Sequence, residues 1–250
     1  MMNDEKDLPE VIYLDETDST NRYLERLAQA DEVADETLVA ADYQTAGRGQ
    51  TGNSWESEAG KNLTFSLLFY PENLPAGRSF RIVELAAVSV KRLLDDYIRD
   101  VAIKWPNDIY WRDRKICGIL IENVLTGSRI ARSIVGIGLN VNQETFHSDA
   151  AAPVSLRQIT GRTHDGTMLL ERFRVIFHRL RLQFESDASA TDIHREYRSA
   201  LYRREGYFPY RDEAGRFDAC IRHVEPSGHL ILERKDGTLS RYAFKEVTFL

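Results

Sequence analysis

Cysteine is scarce in this chain. Cys117 and Cys220 are the only two in 250 residues, which excludes a disulfide framework and fits a reducing compartment. Long apolar runs are also missing, and none approaches the roughly 20 residues that span a bilayer. The first ten residues, Met1–Glu10, are polar and acidic and lack the basic and apolar regions of a secretory signal. Positive charge is in deficit: 33 Lys and Arg stand against 39 Asp and Glu, a net charge of −6, whereas nucleic-acid binders leave a basic footprint. The six histidines are scattered without metal-ligand spacing, and no Ser-His-Asp or Cys-His arrangement is visible. These absences point to a cytoplasmic protein with neither a membrane nor a nucleic acid as partner. Hydrophobic residues at 42% and aromatics at 10% are enough for a packed core.

Hydrophobic periodicity predicts the elements. Val11–Leu14 reads as a short strand, and Asp18 or Ser19 caps a helix carrying Tyr23, Leu24, Leu27 and Ala28 on one face. Strands are expected at Thr37–Asp42 and Leu63–Tyr70, then a long helix from Ile82 to about Arg99. Val101–Lys104 and Asp108–Trp111 flank a proline turn, and Arg112–Arg114 is the tip of a hairpin returning through Lys115–Val124. Ala131–Val141 is nearly all apolar and so is expected to be a central strand. Two helices, about Gly166–Glu185 and Thr191–Arg204, precede a tail of short strands at Phe217–His223, His229–Arg234 and Leu239–Ala243. The expected fold is α+β: a mixed β-sheet with packed helices over residues 1–205, and a small β-barrel-like module over 206–250.

Four segments carry the chemistry. Gly47-Arg48-Gly49-Gln50-Thr51-Gly52-Asn53-Ser54-Trp55 follows an apolar strand; its glycines let backbone N–H groups turn toward an anion beside Arg48. It is not a Walker A loop, because no Gly-Lys-Ser/Thr triplet follows. The others are Lys104-Trp105-Pro106-Asn107-Asp108, Lys115-Ile116-Cys117-Gly118-Ile119-Leu120-Ile121-Glu122 and Gly136-Ile137-Gly138-Leu139-Asn140. In this order they resemble the biotin protein ligase family, with its GRGRxGRxW-like loop, KWPND, KxxGILxE and GxGxN patterns. The likeness runs from about Asp18 to Asn142 and continues more weakly to the C-terminus. It implies a catalytic domain akin to class II aminoacyl-tRNA synthetases and lipoate ligases, with an SH3-like C-terminal barrel.

The resemblance implies that biotin is activated by ATP to biotinyl-5'-AMP and then transferred to a lysine of a carrier domain. The first step brings two anions together, so charge neutralisation and positioning should dominate. Lys115 and Arg48 are the catalytic candidates, each reaching the carboxylate and α-phosphate oxygens. Read alone, Lys115 is a solvated lysine beside a hairpin turn, and Arg48 a loop arginine paired with Glu56 or Glu58. Trp55 either closes the loop over the ligand or anchors its end in the core. Asp108 either holds Mg²⁺ between phosphates or makes an ordinary Asx turn. Gln50, Trp55, Lys104, Asn107 and Asn140 complete the expected ATP contacts, with Gly138 leaving room for a flat ring. Ser19, Thr20, Asn21 and Gln44 match positions around the ureido ring of biotin, where neutral donors and acceptors suit a neutral urea. Gly47 and Gly118 let the backbone approach the same ligand, and Ser19 and Thr20 double as helix caps.

Two departures refine the expectation. Gln50 and Asn53 stand where family members often carry basic residues, so the adenylate should be held less tightly. Only a short acidic lead precedes Val11, which leaves no room for the helix-turn-helix some members carry and favours a ligase over a transcription factor. The expected partner is the biotin carboxyl carrier domain of acetyl-CoA carboxylase or a related carboxylase. The rivals are a lipoate or octanoate ligase and a non-catalytic biotin sensor; the latter would be expected to lose Lys115 or Arg48.

Overall fold

The computed structural model describes residues 8–50, 53–147, 152–185 and 187–250, the side chains of 187–191 excepted. Thr51 and Gly52 of the glycine loop and Met1–Asp7 of the acidic lead lie outside the described residues. Seven strands form one mixed sheet: β1 (Val11–Thr17), β2 (Leu38–Gln44), β3 (Leu63–Phe69), β4 (Val101–Lys104), β5 (Asp108–Trp111), β6 (Arg114–Thr126) and β7 (Arg129–Leu139). Their order is β1-β2-β3-β7-β6-β5-β4. Only the β1–β2 pair is parallel, and it is joined through helix α1 (Thr20–Ala30). The near-continuous apolar strand at 129–139 sits fourth of seven, as its sequence predicts.

Alternation along the strands divides the sheet into two unlike faces. Leu38, Phe65, Leu67, Phe69, Val135, Ile137 and Leu139 point to one face. Three helices cover it: α2 (Phe80–Asp95), α4 (Gly166–Phe184) and α5 (Asp187–Ser199). The stripe Leu169, Leu170, Phe173, Ile176, Phe177, Leu180 and Phe184 recurs at helical spacing and is buried along α4. Phe173 meets Phe65 edge-on with ring centroids 4.9 Å apart. On the opposite face lies α1, whose Leu24 packs on Val39, Leu68 and Ile134. Beyond that small cluster, no helix among the described residues covers the face over β7, β6 and β5.

A second sheet follows: β8 (Phe208–Asp212), β9 (Gly215–Val224), β10 (Leu230–Arg234), β11 (Leu239–Tyr242) and β12 (Thr248–Phe249), ordered β11-β10-β9-β8-β12 and antiparallel throughout. It does not keep a core of its own. Tyr210, Ile221, Leu230 and Tyr242 belong to the same buried cluster as the helices of the first unit. Trp105 Nε1 donates to Gly228 O at 2.9 Å, and Phe244 packs on Phe80 and Trp105.

Several expectations need correction. Ser19 precedes α1 but its side chain makes no capping hydrogen bond; Asp18 instead accepts from the Ser19 N–H at 2.8 Å. α2 stops at Asp95, short of Arg99, because the following residues close a tighter turn, with Tyr97 N–H on Leu94 O. A third helix, α3 (Leu156–Thr160), lies between β7 and α4, started by a Ser155–Gln158 capping box. Strands β8 and β12 also went unpredicted. Cys117 is a buried free thiol, and Cys220 is a half-buried one.

The helix-covered face is the main store of stability. Phe173→Ala should cost about 3–5 kcal/mol in equilibrium urea unfolding, because it empties a fully buried site between Phe65 and Phe177.

Candidate active site

The open face of the sheet is floored by glycine. Gly118 on β6 and Gly138 on β7 are Cα partners, and Gly136 lies two residues along on the same face. A Cβ at Gly138 would collide with the Trp55 indole, and one at Gly118 would come within 3.0 Å of it. A Cβ at Gly136 would collide with the Asn21 amide. The missing side chains therefore make the space in which Trp55 and Asn21 lie. The Trp55 indole N–H is buried there with no hydrogen-bond partner. Above this floor is a cavity of about 140 Å³.

A β-bulge aims the central cation. Tyr110 pairs with Lys115 and Ile109 with Cys117, so Ile116 is an extra residue in β6. In a regular strand Lys115 would share the face of Cys117, whose thiol is buried in the core. The bulge turns Lys115 instead to the face of Asp108 and Gly118. Its Nζ sits 2.7 Å from Asp108 Oδ1 and 5.8 Å from the Trp55 ring centroid. Burial pushes the neighbouring Cys117 thiol well above its ordinary pKa, so it is an inert neighbour and not a nucleophile.

The glycine loop folds back on itself over the cavity. Gly49 N–H donates to Asn53 O at 2.9 Å, and Trp55 N–H to Gly47 O at 3.0 Å. Arg48 leaves this loop to pair with Glu122 at 3.0 Å, and not with the expected Glu56 or Glu58. Gln50 donates to Asn107 Oδ1 at 3.2 Å, and Asn107 Nδ2 donates to Ile119 O. At the far end of the cavity the N-terminus of α1 brings neutral groups together. Thr20 N–H donates to Gln44 Oε1 at 2.8 Å, and Ser66 Oγ lies 2.7 Å from Thr20 Oγ1 and 2.5 Å from Asn21 Oδ1.

Of the residues singled out from the sequence, Ser19, Thr20, Asn21, Gln44, Arg48, Gln50, Trp55, Asn107, Asp108, Lys115 and Gly118 all line this one cavity. Three others are not brought to it. Gly47 acts from behind, where a Cβ would come within 2.6 Å of Trp55 O. Lys104 turns to the second sheet: its ammonium donates to Tyr110 OH at 3.0 Å and lies over the Tyr110 and Phe249 rings. Burial holds that ammonium below the usual lysine range. Asn140 is buried and does not line the cavity, donating to Val154 O at 3.2 Å while its Oδ1 has no partner. Trp105 packs in the core against the second sheet.

Sequence reasoning missed Ser66, Glu122 and Gly136. Ser66 had a signal: with Thr64 it is one of two polar residues in the otherwise apolar β3, on the face that alternation assigns to α1. Glu122 closes the KxxGILxE block but was given no task. As for a metal, no group of three His, Cys, Asp or Glu capable of holding one occurs among the described residues. What fits is a single carboxylate, Asp108, able to contribute one oxygen to a Mg²⁺ whose other ligands come from phosphates and water.

The site therefore has two chemically different ends: neutral hydroxyls and amides at α1, and two basic side chains, each paired with an acid, at the loop and β6. Comparison with known proteins adds to this geometry. A model of the biotin/lipoate A/B protein ligase family matches residues 13–140. The bifunctional ligase/repressor BirA of Salmonella typhimurium is 30% identical over 92% of this chain and 71% of its own length. The biotin–[acetyl-CoA-carboxylase] ligase of Paracoccus denitrificans is 32% identical over 68% of this chain and 72% of its own. Among solved structures, the biotin protein ligase of Aquifex aeolicus in complex with biotin and ATP superposes with a TM-score of 0.78. It is 25% identical, covering 97% of this chain and 99% of that one.

Contact between Trp55 and the glycine floor is directly testable by fluorescence. Gly138→Ala should expel the indole and shift tryptophan emission to longer wavelength, with no such shift in a Trp55→Phe background. An unchanged spectrum would mean that the indole does not rest on Gly138.

Proposed function

The chain belongs to the biotin/lipoate A/B protein ligase family, and from that membership we propose that it is an ATP-dependent biotin–[carrier protein] ligase. The observation that carries the reading is the two-ended cavity. A neutral urea suits the cluster of Thr20, Asn21 and Gln44, and a carboxylate suits the cations at the other end. Residues 1–205 act as the catalytic unit and 206–250 as an SH3-like cap, a division supported by the separate strand order of the second sheet.

In the first step a biotin carboxylate oxygen attacks the α-phosphorus of ATP, pyrophosphate leaves, and biotinyl-5'-AMP forms. Lys115 and Arg48 exchange Asp108 and Glu122 for the ligand's oxygens and neutralise the charge that otherwise keeps two anions apart. Ser19, Thr20, Asn21 and Gln44 hold the ureido ring, with Gly47, Gly118 and Trp55 enclosing the bicycle. Gln50 and Asn107 contact the nucleotide from the loop and the proline turn. Lys104 and Asn140 reach ATP only if their present partners are given up. Asp108 would hold the Mg²⁺ that accompanies ATP, and the ion would supply screening of the phosphate charge. In the second step a carrier lysine amine attacks the acyl carbon, an amide forms and AMP leaves.

The partner is a biotin carrier protein, and specifically the carboxyl carrier domain of acetyl-CoA carboxylase or a related carboxylase. A cytoplasmic setting is supported by the free thiols Cys117 and Cys220. Among the described residues no helix is long and apolar enough to cross a membrane.

The test is transfer of labelled biotin to a purified carrier domain with ATP and Mg²⁺, together with biotin-dependent pyrophosphate exchange. Lys115→Ala should lower exchange by about 100- to 1,000-fold while circular dichroism stays native; full exchange in that variant would remove Lys115 from the reaction. Gln50→Arg should slow release of the adenylate, measured as its off-rate, because a charge-assisted contact replaces a neutral one.

A further inference from the structure

Glu122 has no task in the ligase reading beyond its pairing with Arg48, yet its carboxylate bridges two residues that line the cavity, Arg48 of the loop and Asn21 of α1. Its Oε1 lies 3.0 Å from Arg48 NH2, and its Oε2 accepts from Asn21 Nδ2 at 2.8 Å. One carboxylate thus ties the loop, α1 and β6 together.

Its charge also sets a direction. An ionised carboxylate only accepts hydrogen bonds, so the Asn21 amide must turn its nitrogen to Glu122 and its oxygen toward Ser66. That oxygen rests over Gly136, where a Cβ would collide with it. Asn21 Oδ1 accepts from Ser66 Oγ at 2.5 Å. Having given its single proton to Asn21, Ser66 can only accept from Thr20 Oγ1, 2.7 Å away. Thr20 also commits its backbone N–H to Gln44 Oε1 at 2.8 Å, which fixes the Gln44 oxygen and leaves its Nε2 as donor. Asn21 keeps one further N–H. The row therefore offers amide N–H donors, the right partner for a urea oxygen. A neutral amide at position 122 could present either a donor or an acceptor, and the direction would no longer be fixed.

We propose that Glu122 is the positioning residue that polarises the urea-binding row and tethers Arg48, so that both biotin affinity and discrimination at the urea oxygen depend on its negative charge. The proposal rests on the ligase reading.

Calorimetric titration of the full chain with biotin and with iminobiotin, which carries an imine N–H in place of the urea oxygen, tests it in wild type, Glu122→Gln and Glu122→Asp. Glu122→Gln should weaken biotin binding by about 10- to 100-fold, the worth of a hydrogen bond to a charged group. It should also narrow the preference for biotin over iminobiotin, at an unchanged melting temperature. Glu122→Asp, which keeps the charge, should recover part of both. A folded Glu122→Gln protein that binds biotin within about twofold of wild type overturns the proposal and leaves the ligase reading standing. Equal loss of both ligands also overturns it, since a merely structural role would give that result. Wild type that binds no biotin defeats the ligase reading and the proposal together.

Discussion

Gly118 and Gly138 face each other across the β6–β7 ladder, and every other feature of the cavity is arranged around the room they leave. A sheet with helices on one face must bury or polarise the other. Here α1 covers the β1–β2–β3 side of the second face with a small apolar cluster. Ordinary side chains at 118, 136 and 138 would fill the remainder and leave no cavity. Glycine there sacrifices strand propensity for access. The cost is absorbed because the same strands contribute Val135, Ile137 and Leu139 to the large core on the other face. The site is thus a deliberate gap in one layer, kept rigid by full packing in the next.

Charges in that gap are paired, but loosely. Lys115 and Asp108 keep 23% and 27% of their side chains exposed, and Arg48 and Glu122 keep 36% and 33%. Pairs so accessible to solvent contribute on the order of 0–1 kcal/mol each, so either acid can be given up at little cost. The pairs hold the cations in place over the cavity without neutralising them so strongly that an incoming anion cannot compete. A deeply buried pair would have been costly to break. Partial exposure therefore suits the site to chemistry in which two anions must meet.

Much of this was legible in the sequence because its signals are local. A nearly continuous apolar run marks β7, helical spacing marks α2, and the four motif blocks contain most of the cavity lining. What the sequence left hidden depends on which partners the fold brings to each side chain. The alternative in which Arg48 pairs with Glu56 or Glu58 drew on its sequence neighbours, whereas the carboxylate it meets is Glu122. Lys104 and Asn140 sit in motif blocks, and in the fold they meet Tyr110 and Val154. The bulge at Ile116 has no compositional mark at all, since an isoleucine in a strand is unremarked whichever way it faces. By contrast α3 was announced by Ser155 and Gln158 three residues apart, a capping signature that was present and overlooked.

The second sheet matters to the site without touching its centre. The turn Trp105-Pro106-Asn107 positions Asn107 and begins β5, and hence fixes where Asp108 points. Three contacts brace it: Trp105 Nε1 on Gly228 O, Tyr197 OH on Pro106 O, and Asn107 Nδ2 on Ile119 O. The first depends on Gly228, whose φ of 89° and close approach to Phe80 both favour glycine. A turn that fixes the Asp108 carboxylate at the cavity needs stiffness, and its own four-residue flanking strands are too short to supply it. Anchoring the turn to a second sheet that shares the main core supplies it. The C-terminal module thus works here as a brace for the carboxylate side of the cavity, which explains why it is fused into the core and not tethered by a linker.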